Sequence, residues 1–87
     1  MSNLTRNTIQ ARGIDYEVRE LSGKDMAQVR RLASDSQTYK MEQYVAMTCC
    51  LAPKLTQKDV DDLPSLVITA ISDEAFRLSK QAEPGNA

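Results

Sequence analysis

MEQYVAMTCCLAP, the sequence of residues 41–53, is the stretch that best predicts the fold. Its apolar and small residues recur at i, i+3, i+4 and i+7, which is the spacing of one helix face. From Val45 to Ala52 every side of that helix is apolar or small, and such a helix end is buried centrally or covered by another chain. Pro53 ends the predicted helix, because a proline disfavours the α conformation in the residue before it. The helix face consists of Met41, Tyr44, Val45, Thr48, Cys49 and Ala52.

Capping residues predict one helix on either side of this stretch. Ser22 is a favourable N-cap, and Asp25, three residues later, suits the positive end of a helix that runs roughly from Gly23 to Ser34. Thr56 and Asp59 repeat that spacing, so they predict a second, brief helix around residues 57–62.

The last predicted helix begins at Pro64, which is suited to a first helical turn. Its broad apolar face contains Glu74, for which we expect exposure at the helix end, with pairing across an interface as the alternative. Phe76 lies outside that face. The residues of the face are Leu63, Leu66, Val67, Ala70, Ile71, Ala75 and Leu78.

A short hairpin is predicted at the N-terminal end. Ile14 to Arg19 alternates apolar and polar residues, which is the period of a half-buried strand. The polar segment Thr5–Gln10 precedes it, and Gly13 can supply the positive φ of a turn. Without the first strand, Ile14–Leu21 would be an open edge that pairs with another chain.

These elements predict a mainly α fold, in which a short N-terminal β-hairpin, or a single strand, is followed by three to four helices in a small bundle. Residues 1–13 are a polar segment or the first hairpin strand, residues 14–80 are a single helical domain, and residues 81–87 are a flexible tail. The predicted core consists of Val18, Leu21, Val29, Leu32, Val45, Thr48, Cys49, Val67 and Ile71.

The composition argues against several classes of protein. Leu, Ile, Val and Phe make up only about 21% of the residues, which favours stabilisation by a partner or by further copies of the chain. The longest uncharged run, Gln43–Pro53, is too short to span a bilayer, and no apolar signal-peptide segment is visible. The net charge is −1, so no overall field attracts nucleic acid or membrane.

Catalytic, metal and cofactor sites are not expected either. The chain has no His, and its two cysteines, Cys49 and Cys50, are adjacent and have no further thiol to complete a zinc site or a disulfide framework. We therefore expect buried thiols in a reducing, cytosolic setting, and a protein that is not an enzyme.

A partner-binding surface is the remaining kind of site. The all-round apolar helix end and Phe76 are its basis, and methionines add adaptable apolar contacts. The alternative is that Phe76 covers the hairpin and Met47 faces a neighbouring helix. The residues predicted to bind a partner are Met47, Cys50, Leu51, Leu55 and Phe76.

Two stretches resemble small tail assembly chaperones of long-tailed bacteriophages. VRELSGKD (18–25) followed by VRRLA (29–33) is similar to their pattern VREL-(S/T)-G-x-D with V-x-R-L-A. VAMTCCLAPKLT (45–56) and DVDDLP (59–64) resemble a helix that closes in small residues or cysteines, followed by proline, K-L-T and an acidic D-V-x-x-L-P element. The similarity covers roughly residues 14–80.

The resemblance implies a non-enzymatic, mostly helical protein of the host bacterial cytoplasm. Such chaperones bind the long helical tape measure protein, keep it soluble, help to recruit tail tube protein and are absent from the mature virion. In many of these phages a frameshifted longer product contacts the tail tube protein. The resemblance implies the same partners here, with self-association as a further possibility.

Two other functions stay open at this level. A small DNA-binding phage regulator would need a basic recognition helix, for which only Arg30 and Arg31 are candidates, beside Asp25 and Asp35. A structural head–tail or tail subunit would be found inside purified particles.

Overall fold

Three antiparallel strands and four helices make up residues 3–80, which the computed structural model describes. Helices account for 59% of this part of the chain and strands for 19%. The elements are β1 (Arg6–Ala11), β2 (Ile14–Arg19), α1 (Gly23–Ser34), α2 (Thr38–Cys49), β3 (Cys50–Ala52), α3 (Gln57–Asp62) and α4 (Ser65–Lys80). The predicted tail, residues 81–87, lies outside the described residues.

The N-terminal hairpin is confirmed. β1 pairs antiparallel with β2 from Arg6 opposite Arg19 to Ala11 opposite Ile14. The two residues between the strands, Arg12 and Gly13, have φ of 54° and 78°, as the favoured two-residue hairpin turns require. Because side chains alternate between the two faces of a strand, Tyr16 and Val18 of β2 both lie in the core.

The predicted mainly α class is wrong, because a third strand makes the protein a small α+β domain. Residues 50–52 were predicted as the end of the second helix, but α2 ends at Cys49 and Cys50 is extended, with φ −80° and ψ 115°. β3 pairs with the second edge of β2, with Val18 opposite Cys50 and Glu17 opposite Ala52. That pairing satisfies backbone groups of β2 that a hairpin alone leaves open.

The helices begin where the capping residues predict. Ser22 and Asp25 form a capping box at the start of α1, and Thr56 and Asp59 form one at the start of α3. The bounds of both helices therefore match the predicted ones. α4 follows Pro64, as predicted.

The core lies between the sheet and the helices, with α2 packed against α1, α3 and α4. α2 and α4 run in the same direction. Thr69 donates to Glu42 at 3.1 Å near the start of both helices, and both C-terminal ends lie near the end of β2, where the Thr48 carbonyl accepts from Arg19 and the Ser79 hydroxyl accepts from the Leu21 N–H. Leu32 and Thr48, predicted as core, are only half-buried. The confirmed core residues are Val18, Leu21, Val29, Val45, Cys49, Val67 and Ile71.

Glu74 and Phe76 both lie against the body of the domain. The expectation of an exposed Glu74 is wrong, since the residue is 8% exposed. Its carboxylate accepts hydrogen bonds from Arg77 Nε at 2.8 Å and from Asn7 Nδ2 at 3.0 Å, so its partners belong to the same chain. Phe76 is half-buried and packs against the core.

Candidate partner-binding site

The five predicted partner-binding residues lie at different depths. Cys50 is fully buried and Leu55 is 9% exposed, whereas the other three are half-buried. Met47 lies on α2, Leu51 on β3 and Phe76 on α4. They do not line one common groove: Leu51 and Leu55 line two different grooves of the surface.

The apolar end of α2 is covered by the chain itself. Val45, Ala46, Cys49 and Cys50 are each 0% exposed, because α2 lies between neighbouring helices and ends at the sheet. The lack of a polar face, which suggested a partner, therefore has an intramolecular explanation. The large apolar side chains that are well exposed within residues 3–80 are Ile14, Tyr39 and Leu66.

One groove combines exposed apolar surface with polar groups, and we call it the Tyr16 groove. It has a volume of about 240 Å³ and lies between the start of β2, the connection from β3 to α3, and the residues around α3. Ile14 is 50% exposed at its edge, while Leu55 is mostly buried in its wall. Its lining residues are Ile14, Tyr16, Pro53, Lys54, Leu55, Asp59 and Leu63.

Tyr16 is the most buried of the residues that line this groove. Tyr16 is 2% exposed, and its hydroxyl makes no hydrogen bond within residues 3–80. In the same part of the chain, no side-chain oxygen or nitrogen is both sealed from solvent and unpaired. The small exposed part of Tyr16 therefore includes the hydroxyl. Burial, with a contribution from Cys50, raises the pKa of Tyr16, so the hydroxyl is a neutral donor at pH 7.

A second groove surrounds Leu51, which was among the predicted residues. Leu51 lies between the paired residues Cys50 and Ala52 at a register shift of β3, and such bulges redirect a side chain. The guanidinium groups in this groove already have partners: Arg6 pairs with Glu17 at 3.3 Å, and Arg19 is held by the cluster described next. The groove is about 390 Å³ and is lined by Leu4, Arg6, Arg19, Ser22 and Leu51.

Arg19 is the centre of a largely buried polar cluster that joins β2 to two helix ends. Its guanidinium donates to Asp25 Oδ2 at 2.7 Å and to the carbonyl of Thr48 at 3.1 Å. Asp25 also accepts from the Ser22 N–H at 2.9 Å and from the Tyr44 hydroxyl at 3.4 Å. One ion pair thus places a carboxylate at the N-terminus of α1 and a cation at the C-terminus of α2, as the helix dipoles favour.

Burial and hydrogen bonding shift the pKa of Asp25 in opposite directions. Burial alone raises the pKa of this carboxyl, but hydrogen bonds from Ser22 and Arg19 outweigh it, and the net result is a lowered pKa. Burial alone lowers the pKa of Arg19, but the hydrogen bond to Asp25 and the charge of that carboxylate oppose burial, and the net result is a raised pKa. Both groups therefore stay charged, which is typical of a structural ion pair.

The two cysteines are buried thiols without a reactive environment. Burial raises the pKa of Cys49 to about 11, and it also raises the pKa of Cys50, whose thiol donates to the carbonyl of Pro53 at 3.2 Å. A thiol rather than a thiolate is therefore present at neutral pH. Within residues 3–80, no three potential ligands are grouped to hold a metal ion, and no helix there is long and apolar enough to cross a bilayer.

Comparisons with protein-family models, with curated proteins and with solved structures give no match for this chain. The Tyr16 groove is thus interpreted from its own chemistry. Of the residues that line this groove, only Leu55 was predicted to bind a partner, whereas Ile14 and Tyr16 were predicted only as strand residues. The end of the strand pattern at Ile14, next to the turn, was the available signal for an exposed apolar residue.

Proposed function

We propose that this chain is a tail assembly chaperone of a long-tailed bacteriophage or prophage. It binds the tape measure protein in the host bacterial cytoplasm, keeps that protein soluble, aids tail tube assembly and is released before the virion is complete. It is not an enzyme. The observation that carries the proposal is the resemblance of residues 18–33 and 45–64 to the pattern of these chaperones.

The residues of that pattern have connected roles in the fold, which supports the proposal. Arg19, Ser22 and Asp25 belong to the cluster that fixes α1 on β2, and Thr56 and Asp59 form the cap of α3. These residues stabilise the fold together, so their order and spacing characterise the fold as a set. The contacts to a partner are then expected on other, more exposed residues.

The exposed surface suits a partner that is apolar, repetitive and later released. Ile14, Tyr39 and Leu66 are each about half exposed and lie on different elements. A partner that covers any one of them therefore buries little apolar area. Unassembled amphipathic helices present apolar stripes that small grooves can cover. Weak binding by each copy, repeated along a long target, gives a hold that assembly can still displace.

Co-expression with the tape measure protein of the same phage tests the proposal. We expect this chain to raise the soluble fraction of that protein severalfold and to co-purify with it. The control is Val45→Asp, which places an unpaired charge at a fully buried position and should unfold the chaperone. Unchanged solubility together with no co-purification would contradict the proposed function.

A DNA-binding regulator is the second candidate, and the surface of α1 is the observation that favours it. Lys24, Gln28 and Arg31 line one groove of about 380 Å³, and Asp25 of the same helix is turned inward to Arg19. Tight binding to duplex DNA that weakens steeply with salt would support this candidate. Detection of the chain in purified particles by mass spectrometry would instead indicate a structural head–tail or tail subunit.

A further inference from the structure

The two edge strands of the sheet differ in how well they are protected from pairing with another chain. β3 is three residues long, pairs with β2 across a register shift and is followed by Pro53. β1 is six residues long, contains no proline and pairs with β2 without interruption from Arg6 to Ala11. Short strands, bulges and prolines are devices that keep an edge from pairing. β1 lacks all three, and its outer edge is open.

Alternate residues of β1 direct their backbone groups away from β2. The N–H of Glu20 donates to the carbonyl of Thr5 at 2.8 Å, so this pair is hydrogen-bonded across the hairpin. Every second pair of an antiparallel ladder is hydrogen-bonded, and in this register those pairs contain the odd-numbered residues of β1. The N–H and C=O groups of the even-numbered residues therefore point outward, and they accept or donate no hydrogen bond within residues 3–80. These residues are Arg6, Thr8 and Gln10.

The open edge is complementary to itself. When two copies pair antiparallel about a twofold axis at Thr8, that residue lies opposite Thr8 of the other copy, and Arg6 lies opposite Gln10. Every outward N–H then donates to an outward C=O of the other copy, because the paired residues are those with free backbone groups. Threonines directly opposite each other are also a favourable pair in sheets.

The charges along the edge suit a second copy as well. Arg6 is the only charged residue of β1, so this register places the two guanidinium groups at opposite ends of the paired strands. Each lies opposite Gln10 of the other copy, whose side-chain amide donates to Asp15 at 3.3 Å. The side chain of Arg6 is 61% exposed, and it therefore approaches a carboxylate of the other copy and not a cation.

We propose that β1 pairs with β1 of a second copy, so that two three-stranded sheets join into one continuous sheet. The partner strand also covers Ile9, which is only partly buried at this edge. The low content of large apolar residues agrees with a fold that a further copy stabilises. The proposal does not depend on the proposed function, because it rests on the backbone and the charges of β1 alone.

Substitutions of Thr8 test the pairing in the full chain. Thr8→Pro removes an outward N–H but none of the bonds to β2, since an edge strand tolerates proline where the N–H faces solvent. Thr8→Lys and Thr8→Glu place like charges opposite each other at the twofold axis. Ser34→Lys and Ser34→Glu make the same changes at an exposed position near the end of α1 and are the controls. Circular dichroism verifies that each variant is folded.

Analytical ultracentrifugation over a range of concentrations measures the dimer. We expect the wild type and both Ser34 controls to dimerise and Thr8→Pro to stay monomeric. Each charged variant of Thr8 should have a dimer dissociation constant raised by about tenfold. An equal mixture of Thr8→Lys and Thr8→Glu should restore the dimer, because opposite charges then meet at the axis. A mixture that stays monomeric would overturn the pairing of Thr8 with itself.

Hydrogen exchange locates the contact on β1. The amides of Thr8 and Gln10 should exchange fast in dilute protein and slow down as the concentration rises, whereas the amide of Ile9, which bonds to β2, should be protected throughout. A wild type that is monomeric up to about 1 mM would overturn the proposal. A dimer that every Thr8 variant leaves intact would do so too, because the copies would then meet at another surface.

Discussion

The two capping boxes use the same bonds in very different surroundings. In α1, the Asp25 N–H donates to the Ser22 hydroxyl at 3.2 Å and the Ser22 N–H donates to the Asp25 carboxylate at 2.9 Å. In α3, Asp59 and Thr56 make the equivalent bonds at 3.2 and 2.8 Å. However, Asp25 is 6% exposed and paired with Arg19, whereas Asp59 is exposed and has no ion pair within residues 3–80.

From this difference we expect that a local motif sets where a helix begins, while its surroundings set how much the cap stabilises the protein. Exposed charge pairs contribute little, because water already solvates both groups. Removing one partner of a buried pair is costly, because the other charge remains without compensation. Arg19 would be that charge, and its guanidinium also holds the end of α2 through the Thr48 carbonyl.

Replacing Asp25 gives the largest expected effect. Asp25→Ala removes the cap of α1 and leaves Arg19 without its carboxylate, so we expect a loss of about 3 kcal/mol in the free energy of unfolding. Urea denaturation measures it, and Asp59→Ala, which removes the matched group of α3, should cost much less. Equal losses in the two variants would show that the surroundings of the caps do not matter.

A second substitution sharpens this test. Adding Arg19→Met to Asp25→Ala removes the unpaired cation, so the double variant should lose less free energy of unfolding than the sum of the two single variants. Additive losses would mean that Arg19 and Asp25 act independently, in conflict with their 2.7 Å contact.

The same distinction explains how much of the fold could be predicted. The starts of α1 and α3 are written into adjacent residues as capping boxes, and their bounds were predicted correctly. α2 has no side-chain cap at Gln37 and no basic residue in its last turn. Its C-terminal end depends on Arg19 and on pairing of β3 with β2, both distant in sequence, so helical periodicity was extended too far.

The candidate site shows the same limit. Leu55 was predicted to bind a partner, but Tyr16 lines the groove only because the β3–α3 connection and α3 are folded beside β2. Cys50 was predicted to bind a partner because it lay outside the helical stripe, yet pairing with β2 buries it. Periodicity identifies which residues are apolar, whereas the tertiary fold decides which of them remain accessible.

Acid should lower the stability that the buried cap provides, by an amount between the effects of Asp25→Ala and Thr56→Ala. The pKa of Asp25 is lower in the folded protein than in the unfolded chain, so its ionised form adds stability above the unfolded value of about 4, and this is lost as the pH falls through the folded value. Hydrogen bonds likewise lower the pKa of Asp59 and of Glu74. Between about pH 7 and pH 3 the wild type should therefore lose more free energy of unfolding than Asp25→Asn, as measured by urea denaturation at each pH. Identical losses would rule out Asp25 as a source of the pH dependence.

The smallest expected effect belongs to the exposed cap. Thr56→Ala removes the hydroxyl that accepts the Asp59 N–H, and loss of an N-cap costs about 1 kcal/mol. Because Val60 still anchors α3 in the core, we expect the change mainly as local opening. Hydrogen exchange should speed up at two amides. The Val60 amide donates to the Thr56 carbonyl at 3.1 Å, and the Leu63 amide donates to the Asp59 carbonyl at 2.9 Å. Ser22→Ala is the matched change in the buried box and should lower global stability more; the reverse order would mean that burial does not strengthen the cap.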